Sequence, residues 1–220
     1  MPPLRPRRPT PPNDLIVADG MAGSSAIAVR DLTGASLIDA LDGLADLRIA
    51  VFRAFPYLYE GDRAYERDYL SAYAESGGAL VAGAFDGDRL VGAATAAPMA
   101  DHAAEFAAPF RDRGMDIADI YYFGESVLLP EYRGRGVGHA FFDRREARAR
   151  ELGFAHASFC AVIRPPDHPA RPTDYAPLDP FWRRRGFAPV EGMTGAFGWR
   201  DVGDSVETQH PMQFWLKSLR

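Results

Sequence analysis

The chain has almost no cysteine. Cys160 stands alone among 220 residues, so no disulfide can form within the chain and the core must hold the fold. No apolar run approaches the roughly 20 residues that a membrane helix needs, so no membrane partner is expected. Proline follows the basic N-terminus where a signal peptide would place its apolar stretch, and a cytoplasmic location is the expectation. Positive charge is not in excess either. The formal net charge is −5, which argues against nucleic acid as a partner, because phosphate binding needs a basic surface. His102, His139, His156, His168 and His210 show no metal-ligand spacing, and no metal is expected.

What is present is enough apolar residue, 47%, to bury a core without staples. The first thirteen residues, MPPLRPRRPTPPN, cannot join a helix or a central strand, because proline removes backbone donors and fixes φ. Residues 1–20 therefore read as a disordered arm, with Arg5, Arg7 and Arg8 solvated, and residues 21–220 as one domain.

Along that domain a short strand is expected at 27–30. A helix follows at 36–55, interrupted where Phe55 precedes Pro56. A second helix over 62–75 ends at Gly77-Gly78. Apolar runs at 79–85 and 90–97 flank Asp86-Gly87 and predict a hairpin. A connection over 100–116 carries some helical character, and a long strand rich in aromatic and β-branched residues covers 120–129. A helix runs from about 136 to 152. Val137, Ala140, Phe141, Ala147 and Leu152 fall on one face, with Arg144 and Arg148 beside them. A strand at 157–163, a proline-rich loop at 164–177, and a short helix opened by Asp179 as N-cap with Pro180 behind it come next. Two further strands lie within 187–199 and 211–216.

The informative stretch is 125–142, ESVLLPEYRGRGVGHAFF. A strand runs into a turn with Gly134, Gly136 and Gly138, and a helix opens from it. Glycine lets backbone approach a ligand closely. The free N–H groups and the dipole at the helix start favour a diphosphate there, and Arg133 and Arg135 add charge. No Gly-Lys-Ser/Thr follows Gly138, and the Gly-x-Gly-x-Gly spacing is not the dinucleotide fingerprint.

Arg133-x-x-Gly136-x-Gly138, preceded by Leu128-Leu129-Pro130-Glu131-Tyr132, resembles the coenzyme A signature of the GNAT superfamily of N-acetyltransferases. The segment Phe181-Trp182-Arg183-Arg184-Arg185-Gly186-Phe187 is similar to that family's Phe-Tyr-x-x-x-Gly-Phe, and the order of elements matches. The resemblance implies an α/β fold: a mixed, mostly antiparallel sheet of six or seven strands flanked by helices. It implies an N-acetyltransferase that moves an acetyl group from acetyl-CoA directly to an amine. The diphosphate would rest on Arg133, Gly134, Arg135, Gly136, Val137, Gly138 and His139. The pantetheine arm would pair beside Ser126, Val127 and Leu128, between strands 120–129 and 157–163, which part to admit it.

The resemblance also suggests the chemistry. Glu125 is the candidate base. An N–H near Val127 or Leu128 would face the developing oxyanion. Trp182 stands where the family has its tyrosine, and an indole N–H cannot protonate a thiolate at neutral pH. Tyr175 is then the candidate acid, with solvent as the alternative. Phe55, Tyr57 and Tyr59 border the acceptor pocket, enclosing an amine by cation–π contact or simply anchoring the loop. Cys160 reads as core packing, and Arg183 to Arg185 as a solvated face. The expected acceptor is a small-molecule amine, and assembly as a homodimer is compatible with the sequence. The rival readings are a coenzyme A-binding sensor with degraded catalysis, and an interaction module using the arginine-rich arm.

Overall fold

A computed structural model describes residues 26–220. The arm expected over 1–20 lies outside the described residues. In chain order the elements are β1 (Ala28–Leu32), α1 (Ala35–Phe52), α2 (Arg63–Glu75), β2 (Leu80–Asp86), β3 (Arg89–Pro98), α3 (Ala104–Arg111), β4 (Ile120–Leu128), α4 (Val137–Glu151), β5 (His156–Val162), α5 (Asp179–Arg184), β6 (Ala188–Trp199) and β7 (Thr208–Ser218). The seven strands form one sheet in the order β1-β2-β3-β4-β5-β7-β6. Among the described residues only β4 and β5 run parallel. The mixed, mostly antiparallel sheet expected from the sequence is therefore present with seven strands.

Side-chain alternation along β4 assigns the helices to opposite faces. Ile120 and Tyr122 pack with Ala107 and Phe110 of α3, whereas Tyr121 and Phe123 pack with Phe142 and Ala149 of α4. Val127 joins the leucines of α1 in a third cluster. Local chemistry agrees with these elements. The Asp62 carboxylate accepts the Tyr65 N–H at 2.9 Å and caps α2. The β2–β3 hairpin turns on Gly87, at φ 59°, and Asp88. Asp86, expected in the turn, is instead the last paired residue of its strand, opposite Arg89.

Three local expectations are corrected. The buried face of α4 is Val137, Phe141, Phe142, Arg145, Glu146 and Ala149, while Ala147 and Leu152 are exposed. Two charged residues occupy buried positions, so apolar periodicity alone points the helix wrongly. Arg144 turns outward to Asp31 at 2.7 Å, and Arg148 to Glu151 at 3.0 Å. At α5 the capping position is Leu178, with Asp179 and Pro180 already inside the first turn and no side-chain cap bond. Arg185 is not solvated: it meets Glu146 at 2.9 Å and Asp143 at 2.7 Å, while Arg183 lies over the Trp215 ring.

Candidate active site

β4 and β5 are paired only through Ile120–His156, Tyr121–Ala157 and Tyr122–Ser158, although β4 continues to Leu128 and β5 to Val162. Beyond Tyr122 the two strands part, as expected. A cleft of about 2050 Å³ opens between them and extends from the glycine turn to the loop after α1.

The turn forms one end. Gly134 and Gly136 have φ of 75° and 81°, a region that glycine adopts without strain, and a Cβ at either would meet nothing within 4 Å. The first bond of α4 is Ala140 N–H to Gly136 C=O, and among the described residues the N–H groups of 134–139 donate to no backbone carbonyl. These donors gather where the helix dipole is positive, so the turn suits an anion such as a diphosphate. Arg133, Gly134, Gly136, Val137, Gly138 and His139 all line the cleft, as do Ser126 and Leu128. Two expected members are turned aside. The side chain of Val127 is fully buried beneath α1, and Arg135 lies over the Tyr132 ring at 5.1 Å.

Mid-cleft, β4 bulges. Ala94 opposes Ser126 and Ala96 opposes Phe123, so Gly124 and Glu125 together face the single residue Thr95. The extra residue reverses the alternation that follows. Glu125 would otherwise share the α4 face with Tyr121 and Phe123. Instead its side chain reaches Tyr69 of α2 at 3.0 Å and Arg48 of α1 at 2.5 Å. Gly124 is required here, because a Cβ would come within 2.5 Å of Tyr73 Oη and 2.6 Å of Thr95 Oγ1.

The candidate base is thus one member of a buried cluster. Arg48 also pairs through Nε with Glu66, which is wholly buried. Burial opposes the Arg48 charge, but Glu125, Tyr69 and Glu66 together outweigh it and hold its pKa above the ordinary arginine value. Tyr69 Oη lies 3.0 Å from Tyr73 Oη, and Thr95 Oγ1 donates to Tyr73 Oη at 3.1 Å. Burial pushes the Tyr69 and Tyr73 hydroxyls upward, so both are held neutral. Arg145, from the opposite face, donates to the Glu125 carbonyl at 3.2 Å. Arg48, Glu66 and Arg145 were missed in the sequence, where charged residues are ordinarily expected at the surface. Their one signal there is position: Arg48 and Arg145 each fall among the apolar residues of a helix.

Phe55, Tyr57 and Tyr59 line the far end with Trp199. Their loop is clamped. Arg164 donates from Nη1 and Nη2 to the two carboxylate oxygens of Asp201, each at 2.8 Å. The same guanidinium bonds the carbonyls of Pro56 at 2.8 Å and Tyr57 at 2.7 Å. Trp199 Nε1 donates to the Tyr57 carbonyl at 3.0 Å, and Val202 N–H donates to the Leu58 carbonyl at 2.6 Å. Sequence reasoning missed both Arg164 and Asp201, which are 37 residues apart.

Tyr175 also lines the cleft. Its ring meets Phe55 edge-on at 4.7 Å, and Arg171 lies over it at 4.8 Å. Burial raises its hydroxyl pKa, which Arg171 only partly opposes. Trp182 lines the cleft and packs on Phe159 and Trp215. Cys160 packs against the cluster of Tyr122 and Phe214, and its Sγ lies 3.0 Å from Tyr122 Oη at the cleft wall. Burial pushes the thiol up to about 12 against that hydrogen bond, so it is unreactive at neutral pH. Among the described residues no group of histidine, cysteine or carboxylate side chains is arranged to hold a metal, and no helix is long and apolar enough to cross a membrane.

A mixed sheet parted at the parallel pair of β4 and β5, with a glycine turn opening a helix at the mouth, defines an α/β protein with a long cleft across its sheet. The chain belongs to the acetyltransferase (GNAT) family, whose model matches residues 44–187. Solved structures agree on the fold. YncA from Salmonella typhimurium, solved with acetyl-CoA, is 12% identical, with 89% of this chain and 95% of that one covered and a TM-score of 0.58. A ribosomal-protein-alanine N-acetyltransferase from Brucella melitensis is 15% identical, with 87% and 99% covered and a TM-score of 0.56. The PaiA N-acetyltransferase of Thermoplasma acidophilum, solved with coenzyme A, is 14% identical, with 87% and 98% covered and a TM-score of 0.51. No curated protein is recognisably similar in sequence.

Proposed function

We propose that this protein transfers an acetyl group from acetyl-CoA directly to the amine of a small molecule. One observation carries the reading: the β4–β5 cleft ends at a turn whose amide groups 134–139 are open to an anion. These amides with Arg133 would hold the diphosphate, and Ser126 and Leu128 would border the pantetheine arm. Acetyl-CoA supplies an activated thioester at the bulge. Glu125 takes the proton that the attacking amine must lose, and Arg48 keeps the carboxylate fixed in place. Phe55, Tyr57 and Tyr59 enclose the amine from the far end.

A small acceptor is favoured because the loops at the far end of the cleft touch each other. The loop carrying Phe55 meets the loop carrying His168 and Tyr175, with ring centroids 5.7 and 4.7 Å apart. An extended peptide would have to part these contacts. Trp182, whose indole N–H is too weak an acid to protonate a thiolate, favours a second reading: a coenzyme A-binding sensor without turnover.

Release of free thiol from acetyl-CoA across an amine panel separates the two. Turnover with at least one small amine is expected. Tight coenzyme binding with no turnover would leave the sensor. Calorimetry with Gly136→Val and Gly138→Val should show coenzyme binding abolished; unchanged binding would refute the placement on the turn.

A further inference from the structure

Arg145 is a buried cation that forms no ion pair among the described residues. It is 2% exposed, and its faces are covered by the rings of Phe123 at 4.4 Å and Phe142 at 4.7 Å. Its donors go to neutral oxygens: the carbonyls of Glu125 at 3.2 Å, Phe141 at 3.3 Å and Thr95 at 3.4 Å, and Ser126 Oγ at 2.8 Å. Burial lowers its pKa to about 9, so it keeps its charge at neutral pH, held by neutral oxygens with no carboxylate paired to it among the described residues. A cation held this way gains from any anion brought near it.

Ser126 connects that cation to the cleft. It is exposed, lines the cleft, and lies on β4 beyond the last pair with β5. Its Oγ accepts from Arg145, so its own proton is left to donate, and among the described residues it donates to nothing. The reaction proposed above leaves an anion in this cleft. The amine nitrogen bonds to the acetyl carbon, the C–S bond breaks, and its electron pair passes to sulphur. The ammonium proton leaves to Glu125 or water. Neither Trp182 nor the Cys160 thiol, engaged by Tyr122, is suited to protonate that sulphur, and burial makes the hydroxyl of Tyr175, the remaining candidate acid, a weaker proton donor.

Resting on the acetyl-CoA reading, we propose that the Ser126 hydroxyl, polarised by Arg145, donates a hydrogen bond to the departing thiolate. Ser126 is then a catalytic residue and Arg145 a positioning residue. Ser126 keeps its proton, and the sulphur takes one from solvent on release. The leaving group is stabilised as an anion rather than protonated in the site.

The test uses coenzyme A itself, with its free thiol, saturating the full chain. The ultraviolet absorbance of the thiolate is followed against pH in wild type, Ser126→Ala and Arg145→Gln. The bound thiol should titrate about one pKa unit higher in each variant than in wild type, because a hydrogen bond to the charged form has been lost. Calorimetry at each pH sets the coenzyme A concentration that saturates each protein. Ser126→Ala removes one exposed hydroxyl, so it keeps the test sound if Arg145→Gln fails to fold. An identical thiol pKa in wild type and Ser126→Ala overturns the assignment. No coenzyme binding by wild type overturns the acetyl-CoA reading and this assignment with it.

Discussion

Arg48 Nη1 lies 2.5 Å from Glu125 Oε1, an ion pair rather than an aligned hydrogen bond, while Nε of the same guanidinium bonds Glu66. One cation from α1 thus joins a carboxylate of α2 to the carboxylate at the β4 bulge. Removing it would leave two buried carboxylates without their counter-charge. Arg48→Met should therefore cost about 3–5 kcal/mol in urea denaturation. Adding Glu66→Gln should recover part of that loss. A single variant as stable as wild type would show that the cluster carries no structural weight.

The bulge depends on the space at Gly124. A methyl group there would press on Tyr73 Oη and Thr95 Oγ1 and break their hydrogen bond. Gly124→Ala should destabilise by about 1–3 kcal/mol. Tyr73→Phe in the same chain should relieve part of it, since the nearest atom is the hydroxyl. Equal denaturation midpoints for wild type and Gly124→Ala would count against this packing.

Glu146 ties α4 to α5 and β7. It meets Lys217 at 2.7 Å, Arg185 at 2.9 Å and Arg150 at 3.2 Å. Burial works against its charge, yet hydrogen bonds from Lys217 and Arg185 outweigh burial and lower its pKa below the usual carboxylate value. A carboxylate with a lowered folded pKa stabilises the protein above its unfolded pKa. That contribution fades as pH falls through the folded value. Thermal melting should thus show wild type losing stability below the ordinary carboxylate range more steeply than Glu146→Gln, with the curves converging in acid. Parallel curves would exclude the linkage.

The acceptor loop is held by the two-pronged pair of Arg164 and Asp201. Arg164→Lys keeps the charge but loses the parallel donors and the bonds to the Pro56 and Tyr57 carbonyls. Amide hydrogen exchange over residues 57–60 should quicken by about tenfold or more. With whichever amine the panel identifies, KM for the amine should rise while KM for acetyl-CoA stays level. Unaltered exchange would mean that other contacts hold the loop.

Much of the fold was readable because its signals are local. The hairpin about Gly87, the helix from 62 to 75 and the glycine turn after β4 each depend on residues close in sequence, and each is in place. Periodicity failed at α4. Arg145 and Glu146 are polar letters in buried positions, and only their partners across the sheet make burial tolerable.

The sequence by itself determined the order of strands and helices, the glycine turn with its open amides, and a carboxylate at position 125, since each follows from neighbours along the chain. The tertiary structure alone decided which way that carboxylate points. The bulge opposite Thr95 turns Glu125 from the α4 face to Arg48, because one extra residue in a strand of period two reverses every side chain beyond it. The same holds for Arg145 against Ser126 and Arg164 against Asp201, 19 and 37 residues apart, whose charges are tolerable in the interior only because folding brings their partners to them.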